Sequence, residues 1–77
     1  MENLSKAKIG KLYLITTISN SASIKIKRRL LELGFTKGQF VKLVRKSFLA
    51  KTFLIELRGF TLTIRKDVAS LIEIKEG

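Results

Sequence analysis

Two groups of residues in this chain could do chemistry on another molecule. Lys27, Arg28 and Arg29 stand in a row, and Lys46 and Lys51 bracket Phe48 and Leu49. Consecutive cations attract anions and steer acidic partners. Two bulky apolar side chains in a connection that ought to be wet can form the buried centre of a small interface, with the flanking lysines as its rim. Each group also has a plain structural reading. Cations late in a helix suit its dipole and otherwise sit in solvent, and Phe48 and Leu49 could fold back to cap a core. The sequence leaves both pairs of readings open.

The residues that most enzymes need are missing. There is no histidine and no cysteine, which removes the commonest general base and the best transition-metal ligands. The acids are Glu2, Glu32, Glu56, Asp67, Glu73 and Glu76. None forms a clear carboxylate pair; Glu73 and Glu76, three apart on a strand, point to opposite faces. The serines and threonines have no base placed to activate them. The run GFTKG lacks the glycine-lysine-serine order that cradles phosphate. We therefore expect no enzyme, no metal site and no cofactor. The net charge of +10, from 16 Lys and Arg against 6 Asp and Glu, favours polyanions, acidic proteins or anionic membrane surfaces.

The elements that must position these residues follow from periodicity. The 77-residue chain allows one domain, spanning 1–77, with no proline and no disulfide to brace it. A domain of this size buries only about 60% of its unfolded surface. Residues 1–10 read as a lead-in anchored by Leu4 and Ile9. LYLITTIS, 12–19, is β-branched and apolar on both faces, a strand. Ser21 or Ser23 can cap a helix whose stripe is Ala22, Ile26, Leu30 and Leu33. Gly34 falls where a helix needs a left-handed residue, making Leu30 and Phe35 the apolar pair of a Schellman stop. Gly38 turns the chain into a second strand, 39–46. After the SFLAK connection, TFLIELR and TLTIR alternate around a tight turn at RGF, a hairpin. KDVAS gives a short polar turn or one helical turn, and LIEIK a last strand. Five short strands of this kind curl into a small closed barrel. The expected fold is mainly β, a five-stranded SH3-like barrel with one α-helix inserted between the first two core strands and plugging one end.

The order of these pieces resembles the FeoA family, ferrous iron transport protein A. Arg29, Leu30, Leu33 and Gly34 match a helix ending in Arg-Leu-x-x-Leu-Gly. Gly38, Val41 and Leu43 match the glycine and strand that follow, and Phe48 and Leu49 the apolar loop. Gly59, Leu62, Ile64 and Arg65 match a glycine hairpin leading to an apolar strand, and Ala69, Ile72 and Ile74 the ending. The match covers roughly residues 4–75. It departs at Ala50, Lys51 and Thr52, where the family often has a small residue followed by Asp-Pro. The loop here gains a cation and loses an acid.

The resemblance implies a cytoplasmic accessory protein, peripheral to the inner face of the membrane at most. It would regulate ferrous iron uptake by binding the cytoplasmic GTPase region of the permease FeoB. Similar domains end some iron-dependent repressors. The partner-binding residues would be Lys27, Arg28, Arg29, Lys46, Phe48, Leu49 and Lys51, with weak contact to anionic lipid beside the permease. The absence of cysteine and of an apolar leader agrees with a cytoplasmic setting. The alternative is a basic nucleic-acid-binding barrel. Against it, Tyr13 and five phenylalanines supply no obvious stacking platform among the arginines. A monomer or weak homodimer is expected, the latter through SFLAK or an edge near LIEIK.

Overall fold

The computed structural model describes residues 2–77. The chain forms β1 (Glu2–Asn3), a 3₁₀ turn (Leu4–Lys6), β2 (Leu12–Ile18), α1 (Ile24–Leu33), β3 (Phe40–Ser47), β4 (Thr52–Leu57), β5 (Phe60–Arg65), α2 (Lys66–Ala69) and β6 (Ile72–Glu76). All strand pairs are antiparallel. The sheet runs β1-β6-β2-β3-β4-β5. The fold is mainly β, with α1 inserted between β2 and β3 as expected.

Two expectations about the sheet change. It has six strands, because the lead-in contributes β1, which pairs Glu2 with Ile74 and Asn3 with Glu73. It is also not a closed barrel. The order leaves β1 and β5 as edges, with no ladder between them. α2 packs instead against both β5 and the 3₁₀ turn, and Ala69 and Leu4 are both buried in the core. Leu4 is an anchor, but Ile9 is not. The Lys8 N–H donates to the Tyr13 hydroxyl at 2.9 Å, and the chain then turns at Ile9 and Gly10, leaving Ile9 in solvent.

Strand alternation builds the core. Tyr13, Ile15 and Ile18 from β2 meet Val41 and Leu43 from β3, Phe53, Ile55 and Leu57 from β4, Ile64 from β5, and Ile72 and Ile74 from β6. Bulges between Ile15 and Thr17 and between Leu43 and Arg45 bend the sheet around it, since each inserts an extra residue on one strand and strengthens the local twist.

Helix α1 starts at Ser23, whose Oγ accepts the Ile26 N–H at 3.2 Å. It ends at Gly34, φ 109°. There the Phe35 N–H reaches the Leu30 carbonyl at 3.0 Å and the Gly34 N–H the Leu31 carbonyl at 3.1 Å. This is the Schellman pattern, and Leu30 and Phe35 are both buried. The expected apolar stripe, however, buries little. Only Leu30 is enclosed, while Ile26 and Leu33 remain 36% and 37% exposed. The reason is position. The helix lies alongside the β5 edge, so one turn of it reaches the core and the rest borders a groove.

Candidate docking surface

The connection between β3 and β4 is four residues long, Phe48 to Lys51, flanked by the pair Ser47 and Thr52. Ser47 Oγ accepts the Ala50 N–H at 3.3 Å. Lys51 takes a left-handed conformation, φ 54°, and its carbonyl accepts the Lys66 N–H at 2.9 Å. The loop is thus held at both ends and tied to α2. A fixed loop loses less conformational entropy when it binds.

This frame projects Phe48 and Leu49 outward. Phe48 is 86% exposed and Leu49 is fully exposed. Neither folds back onto the core. Beneath Phe48 lies a groove of about 330 Å³ lined by Lys46, Lys51, Phe53 and Lys66, among others. The Lys46 ammonium sits 5.4 Å from the centre of the Phe53 ring, a cation–π approach that pins its stem across the groove. A second hollow of about 490 Å³ adjoins it and adds Arg65 and Asp67. Asp67 is already engaged by Arg65, Nε to Oδ1 at 3.3 Å. The outcome is an apolar tip over a cationic base.

Of the residues singled out from sequence, Lys46, Phe48, Leu49 and Lys51 come together here. Lys27, Arg28 and Arg29 do not; they ride on α1, with Arg28 and Arg29 exposed and Lys27 partly covered. Arg29 borders a different groove, of about 330 Å³, between α1 and β5. Arg65 lines both that groove and the hollow beside Lys51, so it links the two regions. Arg65 and Lys66 were not anticipated. A signal existed: a hairpin centred on Arg58 and Gly59 must set Arg65 opposite Thr52, which it does.

Among the described residues, no three of His, Cys, Asp and Glu are grouped to hold a metal ion. Among the same residues, no helix is long and apolar enough to cross a membrane.

The FeoA domain family model matches residues 2–76. No curated protein is significantly similar in sequence. Solved structures match this chain in fold. The FeoA protein of Chlorobium tepidum superposes with TM-score 0.86 at 28% identity, covering 97% of this chain and 70% of that one. FeoA of Stenotrophomonas maltophilia, solved with zinc, gives 0.85 at 23% identity over 97% and 91%. That protein is described as a unique prokaryotic SH3 domain protein and a candidate ferrous iron transport activating factor. A manganese-dependent transcriptional repressor gives 0.90 at 14% identity, covering 99% of this chain and 36% of that one. At that identity the likeness concerns the fold alone.

Proposed function

The chain belongs to the FeoA family, and from that premise we propose that it is an accessory factor of ferrous iron uptake that docks on the cytoplasmic part of the permease FeoB. It acts by binding, not by turning over a substrate. The observation that carries this reading is the tip itself: Phe48 and Leu49 stand in solvent on a loop held at both ends, over Lys46, Lys51 and Lys66. An exposed apolar pair on a rigid hairpin is a liability unless something covers it. Its size suits the anchor of a small interface, where a few central side chains carry most of the energy. The basic base would meet acidic side chains on the permease and raise the encounter rate.

The test is recovery of the permease from detergent-solubilised membranes by the tagged chain, with and without guanine nucleotide. Recovery that Leu49→Lys abolishes supports the reading. Recovery unchanged by Leu49→Lys removes the tip from it, and no recovery in any nucleotide state removes FeoB.

A further inference from the structure

The groove between α1 and β5 joins two features. One is a free sheet edge. β5 is the last strand of the sheet, and no backbone hydrogen bond reaches it from α1 among the described residues. The turn before it has Arg58 and Gly59 both at positive φ, 53° and 84°, the two-residue type I′ hairpin. Such a hairpin makes its closing pair, Leu57 and Phe60, a doubly hydrogen-bonded one, and the pattern alternates from there. Ile55 with Leu62 and Phe53 with Ile64 are then bonded pairs. The backbone N–H and C=O of Thr61 and Thr63 face away from β4.

The other feature is an apolar wall opposite that edge. Ile26, Leu30 and Leu33 of α1 face Leu62, Ile64 and Val68 across about 330 Å³, within the span of pockets that hold small ligands or side chains. A strand added to β5 would bond to Thr61 and Thr63 and drop alternate apolar side chains into this groove, the geometry of edge-strand peptide recognition.

Charge decides what the strand is. Arg29 and Arg65 line the groove and no acid does, while Arg58, in the turn that leads into β5, stands beside Gly34 at the end of α1. A second copy of this chain fits poorly. Antiparallel pairing of two β5 strands would bring Arg58 of one near Arg65 of the other, between molecules that each carry +10, and like charges opposite one another oppose pairing. We infer that the β5 edge and the α1 groove together bind an acidic, alternately apolar segment of a protein partner as an added strand. This inference rests on the docking role proposed above and adds a second contact face to it.

The test uses the full chain, isotope-labelled, titrated with a capped Glu-Val-Glu-Leu-Glu-Val-Glu peptide, its Lys-for-Glu counterpart, and vesicles of anionic lipid. We expect the acidic peptide to slow amide exchange at Thr61 and Thr63 by about tenfold or more at saturation and to shift the methyls of Ile26, Leu33 and Leu62. The lysine peptide should do neither. Leu33→Glu, at a half-exposed position, should keep the melting curve and lose the binding. Thr63→Pro removes one outward N–H and should weaken it as well. Should Thr63→Pro fail to fold, Leu33→Glu alone decides. No binding up to about 1 mM, binding without protection of Thr61 and Thr63, equal binding of the lysine peptide, or protection only by vesicles would each overturn the inference. Permease recovered with β5 exchange unchanged would overturn it too, yet leave the accessory role standing. Peptide protection without permease recovery would do the reverse.

Discussion

Gly34 and Arg58 touch across the junction of α1 with the β4–β5 turn: a Cβ placed on Gly34 would stand 2.9 Å from Arg58 Cδ and 3.5 Å from Leu57 Cδ2. Both residues are left-handed, at φ 109° and 53°. The helix stop and the hairpin turn therefore interlock.

Gly34→Ala meets two costs. The left-handed backbone disfavours any Cβ by about 1–2 kcal/mol, and the Arg58 stem must move aside. Gly38, φ 87°, has open space where its Cβ would go, so Gly38→Ala should meet the first cost only. Denaturant melts should rank Gly34→Ala as the more damaging. The gap should shrink when both are measured with Arg58→Gly, as a coupling cycle requires.

Thr16 lies at the β2 bulge, and its hydroxyl is buried with no hydrogen-bond partner among the described residues. An unsatisfied buried hydroxyl costs about 1–3 kcal/mol, whereas an apolar group of the same shape escapes that cost. Thr16→Val should leave the midpoint unchanged or raise it. A loss above about 1 kcal/mol would mean that the hydroxyl has a partner in solution.

Lys11 and Glu76 form an exposed ion pair between the start of β2 and the end of β6. The hydrogen bond from the Lys11 ammonium holds Glu76 below the usual carboxylate range, and Glu76 in turn raises Lys11. A depressed carboxylate adds stability above its unfolded value and loses it as pH falls through its folded value. A raised lysine adds stability below its unfolded value and loses it as pH climbs through its folded value. The difference in melting temperature between wild type and Glu76→Gln should thus be small near neutrality, where both groups are charged. It should vanish in acid, at strongly alkaline pH, and in about 1 M salt.

The basic charge alone predicts loose association with nucleic acid. Binding to duplex DNA or single-stranded RNA should be detectable at low salt and fall steeply as salt rises, as counterion release dictates. Tight binding that persists at physiological salt would favour a nucleic-acid module over a protein-docking one.

Local chemistry was the legible part of this sequence. The Gly34 stop, the RGF turn and the alternation of Phe53, Ile55 and Leu57 are properties of adjacent residues, and each is found where the sequence placed it. Relations between distant segments were harder to read. β1 is two residues long and forms only because β6 offers an edge, and nothing in Glu2–Asn3 signals a strand. Closure fails: no ladder joins β5 to β1, and α2 packs instead against β5 and the 3₁₀ turn. Ile26 and Leu33 fall on a helical stripe whether or not a sheet covers them, so periodicity could not tell a docked helix from a half-docked one. The same limit applied to Phe48 and Leu49, whose exposure depends on the hydrogen bonds made by Ser47 and Lys51 rather than on their own types.

The central claim is that the Phe48–Leu49 tip is a binding anchor and not part of the core. It is tested most directly by calorimetric titration of the isolated cytoplasmic region of the permease with wild type and with Leu49→Lys, alongside thermal melts of both. The account predicts superimposable melts and affinity at least about tenfold weaker for the variant. Equal affinity, or a variant that melts well below wild type, would contradict it.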